Sequence, residues 1–220
     1  MKSQKAIIFD LDGTLIDSLE DIAVCMNKVF EELDLPVHKI EDYKNFVGGG
    51  VDILVENALD SSAPKELKTQ VRDRFKEIYD SNLHAKTQAY DGIYELLEEI
   101  EKQDIKMGIL SNKPHEFTVE YANSLFENNK FLEVHGQKAH IEKKPNPIAA
   151  IDIAKSFDIS CEKIYFVGDT KIDMQTAKNA GMIAIGVLWG FRDEEELVSN
   201  GADFIVSHPS EILDILNHSK

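Results

Sequence analysis

The sequence predicts a doubly wound α/β fold, in which helices cover both faces of a parallel β-sheet. Five short apolar runs are continuous rather than alternating, as expected for strands that are buried on both faces. These runs cover residues 6–9, 107–110, 164–167, 183–188 and 204–206. Helical patterns with 3.6-residue spacing, at 93–100, 148–154 and 174–180, lie between successive runs. This alternation of strand and helix is typical of the class.

The stretch from residue 17 to residue 84 breaks that alternation. Apolar residues between Leu19 and Leu33 share one face of a long helix. Ser18 and Asp21 have the spacing of a capping box at the start of that helix. The pattern therefore indicates a helical insertion between the first strand and the rest of the sheet.

The insertion divides the chain into two predicted domains. Residues 1–16 and 85–220 would form the α/β core, and residues 17–84 would form the helical domain. The two connections, near Asp17 and at residues 84–90, are candidate hinges.

Composition and charge exclude several classes of partner. The chain has 220 residues, 43% of them apolar, and a formal net charge of −16. Such an acidic chain lacks the basic surface that a nucleic acid or an anionic membrane requires. No apolar run approaches the roughly 20 residues of a membrane span, and the N-terminus has no signal-peptide core. We therefore expect a soluble cytoplasmic protein, a monomer or small homo-oligomer, that acts on a small molecule.

Four polar clusters carry the chemically interesting residues. Three follow predicted strands and one precedes a predicted helix. They are Asp10-Leu11-Asp12-Gly13-Thr14, Ser111-Asn112-Lys113, Lys143-Lys144-Pro145-Asn146-Pro147 and Gly168-Asp169-Thr170-Lys171-Ile172-Asp173. Ligands of open α/β sheets bind beyond the carboxyl ends of the strands, so we expect the clusters to converge in space.

The first cluster has the residues that phosphoryl transfer through a carboxylate needs. Asp10 and Asp12, two positions apart at a strand end, can divide the work of nucleophile and proton-transfer group. Phosphate repels a carboxylate, and a Mg²⁺ ion between them removes that repulsion. Asp10 and Asp169 would supply carboxylate oxygens to the metal, and Asp12 its backbone carbonyl. Asp173 would bind the metal directly or through water.

The remaining candidates would bind the phosphate and stabilise its charge. Ser111, the backbone amides around it, including that of Asn112, and Lys144 would contact the transferring oxygens. Gly13 would let the backbone approach the phosphoryl group closely.

Taken one at a time, these residues also have ordinary structural interpretations. Asp10 could cap a turn, Lys144 could be a solvated lysine, and Asp169 and Asp173 could cap the following helix. The combination favours function, because the four fixed residues of Asp-x-Asp-Gly-Thr arise by chance in on the order of one chain per thousand of this length.

The four clusters, in this order, resemble the four motifs of the haloacid dehalogenase superfamily of phosphohydrolases over essentially the whole chain. The resemblance implies a Rossmann-like core, a helical cap inserted after the first strand, Mg²⁺ and a covalent aspartyl-phosphate. By position, the nucleophile is Asp10, the general acid/base Asp12, the second motif Ser111, the third Lys144, and the acidic fourth Asp169 with Asp173.

Two details of the motifs indicate which members of the superfamily the chain resembles most. The dehalogenases that give the superfamily its name lack the second aspartate of the first motif, so Asp12 indicates phosphoryl transfer. Within the superfamily the chain is most similar to phosphoglycolate phosphatases, in Phe46–Gly50, Ser111–Pro114 and Val187–Phe191. Gly49 stands where the loop of those enzymes often has a polar residue between two glycines, and this loop is a candidate specificity element.

Two other functions are compatible with part of the pattern. A phosphosugar mutase of the same superfamily would keep Asp10 and Asp12, but such mutases usually carry a different residue at the position of Thr14. A non-catalytic regulatory domain that accepts a phosphoryl group on aspartate, such as a receiver domain, is about half this length and has no large helical insertion.

Overall fold

The computed structural model describes residues 5–83, 85–126 and 131–218. The chain forms two compact units. One comprises Met1–Ile16 and Ala89–Lys220, and the other is Asp17–Gln88. His84, where the sequence places the end of the insertion, lies outside the described residues.

A six-stranded parallel sheet forms the centre of the first unit. Its strands are β1 (Ala6–Phe9), β4 (Lys106–Pro114), β5 (Glu133–Gln137), β6 (Ile164–Gly168), β7 (Ile183–Val187) and β8 (Phe204–Val206). They lie in the order β5-β4-β1-β6-β7-β8. Two short strands, β2 (Ile16–Asp17) and β3 (Gln88–Ala89), pair where the chain leaves the first unit and returns to it.

Helices flank the sheet, so the predicted doubly wound, Rossmann-like α/β class is confirmed. They are α4 (Ile93–Lys102), α5 (His115–Phe126), α6 (Ile148–Phe157), α7 (Lys171–Ala180), α8 (Glu194–Ser199) and α9 (Ser210–His218). Ile8 and Phe166 from the strands join Phe157 of α6 and Met174 of α7 in one buried apolar cluster. Each such side chain contributes about 1.5–3 kcal/mol on burial.

The register of the sheet brings the ends of its three central strands to one edge. Phe9, the last residue of β1, pairs with Ile109 of β4 and with Val167 of β6. Because the strands are parallel, the residues that follow these positions leave the sheet on the same side. Asp10 donates its backbone N–H to the Val167 carbonyl at 2.9 Å, which extends the ladder to the first aspartate.

Two features of the sheet differ from the sequence prediction. Strand β5 was not predicted, because all five of its residues are half-buried and only one is aliphatic. It forms an edge of the sheet, where solvent contact permits polar side chains. Strand β4 continues past the predicted 107–110 to Pro114, so Ser111-Asn112-Lys113 belongs to the strand itself.

The second unit is helical and has its own apolar core. It contains α1 (Leu19–Glu32), a 3₁₀ helix (Ile40–Asn45), α2 (Val51–Ala58) and α3 (Lys65–Ser81). The buried face of α1, with Met26 and Phe30, packs against α3, which buries Phe75 and Tyr79. None of the described helices, in either unit, is long and apolar enough to cross a membrane.

The glycine loop before α2 needs its three glycines for two different reasons. Gly48 and Gly50 have φ angles of 109° and 82°, which favour glycine. Gly49 has no such angle, but a Cβ there would lie 2.7 Å from Cβ of Ile53. Close packing against α2 therefore explains the third glycine.

The predicted capping box at the start of α1 is wrong. The Ser18 side chain makes no capping hydrogen bond, and Asp17 Oδ1 accepts from the Leu19 amide at 3.3 Å instead. Asp21 is buried and its Oδ2 accepts from the amides of Lys86 and Thr87, at 3.0 and 2.8 Å, and from the Thr87 hydroxyl at 2.6 Å. This carboxylate therefore binds the returning end of the insertion to α1, a contact between residues 65 positions apart.

We predict that Asp21→Ala destabilises the helical unit by about 2–4 kcal/mol, because hydrogen bonds to a charged group contribute ~1.5–3 kcal/mol each and the donors lose their acceptor inside the protein. Chemical denaturation, with amide hydrogen exchange at Thr87, measures the loss. Glu31→Ala, on the exposed side of the last turn of α1, is the control and should change stability by less than about 0.5 kcal/mol. Equal effects of the two substitutions would show that Asp21 does not hold the connection.

Candidate functional site

Three buried carboxylates meet at the carboxyl edge of the sheet. Asp10 follows β1, Asp169 follows β6, and Asp173 lies in the first turn of α7. One oxygen from each lies within 4.8 Å of the others. The sequence predicted that these residues converge, and the register of β1 with β6 brings them together.

Lys144 supplies positive charge between two of these carboxylates. Its Nζ lies 2.7 Å from Asp10 Oδ1 and 2.7 Å from Asp173 Oδ1, and its side chain is 2% exposed. The Lys144 amide donates to Asn112 Oδ1 at 2.9 Å, and Asn112 Nδ2 donates to the Lys144 carbonyl at 3.2 Å. The side chain of Asn112 on β4 therefore positions the lysine backbone, which continues into a cis peptide bond at Pro145.

Asp169 is held by the loop after β1 and by the segment after β7. Thr14 Oγ1 donates to Asp169 Oδ1 at 3.3 Å, and the Phe191 amide donates to Oδ2 at 2.8 Å. A Cβ on Gly13, whose φ is +84°, would lie 2.7 Å from Asp169 Cγ and 2.7 Å from the Phe191 ring. Only glycine fits this close approach of the β1 loop to Asp169.

Trp189 borders the same loop. Its indole Nε1 donates to the Thr14 carbonyl oxygen at 3.0 Å. Gly190 beside it is packed tightly, because a Cβ there would lie 2.6 Å from Asp169 Oδ2. The segment after β7 is thus part of the site.

Asp173 has both a structural and a site contact. The amide and hydroxyl of Thr170 donate to Asp173 Oδ2 at 3.1 and 2.7 Å, which forms a capping box at the start of α7. Its other oxygen faces Lys144. The capping interpretation and the site interpretation of Asp173 are therefore compatible.

Asp12 has a different partner from Asp10. Lys113 Nζ lies 3.0 Å from Asp12 Oδ1 and 3.3 Å from Oδ2. The Asp12 carboxylate is not in the group of Asp10, Asp169 and Asp173. Metal binding through the Asp12 backbone carbonyl, as expected from sequence, stays a prediction.

The two predicted phosphate-binding residues on β4 are both buried. Ser111 Oγ accepts from the Lys113 amide at 3.2 Å. The Asn112 side chain is used in contacts with Lys144, so a contact of Asn112 with phosphate would involve its backbone amide. The phosphate-binding role of both residues stays a prediction.

Burial and charge shift the pKa values of the site together. Burial raises the pKa of Asp10, Lys144 lowers it, and Asp173 raises it, with a net value of about 7. Burial, then Asp173 and Asp10, raise the pKa of Asp169 well above its ordinary range. Burial lowers the pKa of Lys144, but Asp10 and Asp173 raise it above its ordinary value. The lysine therefore stays charged.

This arrangement fits a hard divalent cation. If all three carboxylates were ionised around one ammonium, the buried site would carry an excess of negative charge, which is unfavourable without a further cation. Asp10 Oδ1 faces the ammonium, yet within the described residues no donor reaches this buried oxygen in hydrogen-bond geometry. Carboxylate oxygens are the ligands that Mg²⁺ and Ca²⁺ prefer.

Sequence reasoning did not predict the contacts of four contributors, although all four stand in stretches that it identified. Lys113 and Thr14 stand inside clusters that were identified, but their partners, Asp12 and Asp169, are set by the tertiary fold. Trp189 and Phe191 lie in Val187–Phe191, a stretch that resembles phosphoglycolate phosphatases, but their contacts with Thr14 and Asp169 are likewise set by the tertiary fold.

Known proteins resemble this chain over most of its length. A family model described as haloacid dehalogenase-like hydrolase matches residues 7–187. The phosphoglycolate phosphatase of Vibrio parahaemolyticus is 32% identical over 218 residues, which cover 96% of each chain.

Solved structures are also similar over nearly their whole length. The crystal structure of a predicted phosphoglycolate phosphatase from Haemophilus somnus has 26% identity and a TM-score of 0.90, covering 98% of this chain and 99% of that one. A β-phosphoglucomutase from Clostridium difficile has 19% identity and a TM-score of 0.79, covering 97% and 96%. The latter likeness shows the fold alone.

We predict that a divalent cation stabilises the protein more at pH 8 than at pH 5. Asp10 and Asp169 have raised pKa values when folded, so the cation-free protein binds more protons than the unfolded chain and loses stability as pH rises from about 4 toward 7. A cation binds the ionised carboxylates and reverses that loss. At pH 8 and about 100 times its Kd, Mg²⁺ should add ~2.7 kcal/mol, or roughly 5–10 °C in Tm.

Thermal unfolding with Mg²⁺ and with chelator at both pH values measures the difference, and fluorescence of Trp189, the one tryptophan of the chain, gives a second readout. Asp169→Asn should abolish the stabilisation by Mg²⁺, whereas the variant Asp152→Asn, changed at an exposed position, should keep it. If Mg²⁺ raised Tm equally at the two pH values, or raised it as much in Asp169→Asn as in the wild type, the cation would bind elsewhere.

Proposed function

Because the chain belongs to the haloacid dehalogenase-like hydrolases, we propose that this phosphatase hydrolyses phosphoglycolate or a closely similar small metabolite through a phosphoryl group on Asp10. The family match and the full-length phosphoglycolate phosphatase relatives show a phosphoric monoester hydrolase. The observation that supports the mechanism is the buried set of Asp10, Asp169 and Asp173 around Lys144.

We propose Mg²⁺ as the cation of this set. Asp10 and Asp169 would hold it with carboxylate oxygens, Asp12 with its backbone carbonyl, and Asp173 directly or through water. When bound, Mg²⁺ would neutralise phosphate charge that otherwise repels the nucleophile. Side chains of this protein would carry out the nucleophilic attack and the proton transfers.

The first step transfers the phosphoryl group to the protein. A carboxylate oxygen of Asp10 attacks phosphorus, and the bond between phosphorus and the leaving oxygen breaks with its electron pair going to that oxygen. Asp12 donates a proton to the leaving alkoxide. Lys144 and Ser111 would stabilise the charge on the equatorial oxygens.

The second step returns the phosphoryl group to water. Asp12, now ionised, accepts a proton from a water molecule as that water attacks the phosphorus of the aspartyl-phosphate. The bond to Asp10 breaks, and inorganic phosphate leaves. Asp12 regains its proton and Asp10 its charge, so both residues are restored.

The proposed substrate rests on the relatives. The Vibrio parahaemolyticus protein, 32% identical over 96% of both chains, is a phosphoglycolate phosphatase, and so is the Vibrio cholerae protein, 30% identical over 98% of both chains. The resemblance in Phe46–Gly50, Ser111–Pro114 and Val187–Phe191 points the same way. Hydrolysis is preferred over the mutase alternative, which has support from the fold alone.

We also propose that the helical unit, residues 17–84 by the sequence and Asp17–Gln88 as a compact unit, is the cap that sets substrate choice. Its support is its insertion after β1, its separate core and the glycine loop. Asp21→Ala tests this: a loosened cap should lower kcat/KM for phosphoglycolate more than for p-nitrophenyl phosphate. Equal losses for both substrates would mean that the unit does not govern specificity.

We predict that phosphoglycolate is hydrolysed with at least a tenfold higher kcat/KM than other phosphorylated metabolites in a panel assayed with Mg²⁺; tenfold corresponds to ~1.4 kcal/mol of discrimination. Excess chelator should abolish turnover, and added Mg²⁺ should restore it. Ca²⁺ should inhibit, because it is larger and takes more ligands.

Three results would contradict the proposal. One is full activity in chelator, another is a panel with no preference for phosphoglycolate, and the third is retention of phosphate on a sugar bisphosphate. Asp169→Asn, which Mg²⁺ should not rescue, serves as the matched control.

A further inference from the structure

We propose that Lys113 is a positioning residue that holds the Asp12 carboxylate in its working orientation, an inference that rests on the proposed phosphatase mechanism. Lys113 Nζ lies within 3.0 and 3.3 Å of the two Asp12 oxygens. The Lys113 side chain is 5% exposed and that of Asp12 is 17% exposed. One ammonium thus contacts both oxygens of the proposed acid/base.

The backbone of Lys113 is fixed on both sides. Its amide donates to Ser111 Oγ at 3.2 Å, and its carbonyl accepts from the Thr118 hydroxyl of α5 at 3.2 Å. Strand β5 packs closely behind it, because a Cβ on Gly136 would lie 2.7 Å from the Lys113 carbonyl oxygen. The Lys113 side chain therefore extends from a backbone position that is held by contacts on both sides.

The ammonium is fixed as well. Lys113 Nζ lies 5.1 Å from the centre of the Tyr121 ring, and Tyr121 is fully buried on α5. A cation over the face of an aromatic ring is attracted by its quadrupole, more strongly where water is excluded. Tyr121 and Asp12 thus both contact the same charged group.

Asp12 itself stands on a tight turn. The amide of Gly13 donates to the Ile16 carbonyl at 2.9 Å, and the amides of Leu15 and Ile16 donate to the Leu11 carbonyl at 2.9 and 3.0 Å. These contacts fix the Asp12 backbone but not the rotation of its side chain. Lys113 supplies a side-chain contact to both Asp12 oxygens, which favours one orientation.

Energetics favour a functional reason for this pair. A buried ion pair contributes little net stability, because the loss of hydration offsets the attraction. Proton transfer, in contrast, depends strongly on position, and a displacement of about 1 Å can slow a reaction by roughly 10²-fold. Each aspartate of the first motif also has its own lysine, Lys144 for Asp10 and Lys113 for Asp12.

A double-mutant cycle tests this role. Lys113→Met keeps the length of the buried side chain and removes its charge. It should lower kcat for phosphoglycolate by about 10- to 100-fold, with KM changed by less than about threefold, because the lysine acts on proton transfer and not on binding. The first release of p-nitrophenol from p-nitrophenyl phosphate needs no proton and should be largely spared.

The decisive comparison is made in the Asp12→Asn background. If Lys113 acts through Asp12, adding Lys113→Met should slow that variant by less than about threefold, so the two effects are non-additive. Lys106→Met, at the opposite end of β4 where Nζ bonds to the Phe157 carbonyl, is the matched control and should leave kcat unchanged.

Additive losses in the double variant would overturn the proposal, as would a raised KM with an unchanged kcat, since Lys113 would then bind substrate. If Lys113→Met does not fold, Tyr121→Leu, which keeps the lysine but removes the ring, should show the same non-additivity with a smaller loss. An Asp12→Asn variant as active as the wild type would instead refute the proposed function itself.

Discussion

Lys144 between Asp10 and Asp173 is the contact on which the site depends. Both of its ion pairs are 2.7 Å long and almost fully buried. A buried ammonium or carboxylate without a partner of opposite charge would lose its hydration free energy without compensation. The ion pairs therefore allow both kinds of charge to be buried here. Asp169 adds a further buried carboxylate, so the set would carry excess negative charge when fully ionised, and a divalent cation would balance that charge.

The parallel sheet makes this concentration of charge possible. Register aligns β1 with β4 and β6, and the polar residues that follow each strand emerge at one edge. The apolar strands and flanking helices below them form a rigid base. Glycines at positions 13 and 190 then allow two loops to pack against Asp169, where any larger residue would collide.

Much of the sheet and of the site could be predicted from the sequence, because the patterns that indicate them are local. Continuous apolar runs such as Ile164–Val167 indicate buried strands. The two aspartates Asp10 and Asp12, two positions apart, indicate catalytic residues at the end of a strand. Strand β5 gave no such signal, since an edge strand does not need an apolar sequence. The edge position becomes visible only in the folded sheet.

The partners of side chains were the part that sequence could not supply. Asp21 has the spacing of a capping residue, yet it bonds to Lys86 and Thr87, which are distant in sequence. Lys113 and Asp12 are likewise 101 positions apart. Local patterns identify residues that are able to pair, whereas tertiary packing decides which pairs form.

The central claim, that the phosphoryl group passes through Asp10, is tested most directly by looking for it there. Asp12→Asn enzyme, mixed with p-nitrophenyl phosphate and Mg²⁺ and quenched in acid, would be analysed by intact mass and peptide mapping, with the Asp10→Asn, Asp12→Asn double variant as control. The account predicts one phosphoryl group per chain, on Asp10, formed with a burst of one p-nitrophenol per site and absent from the control. Linear release without a burst and without any phosphorylated Asp10 would contradict it and point to direct attack by water.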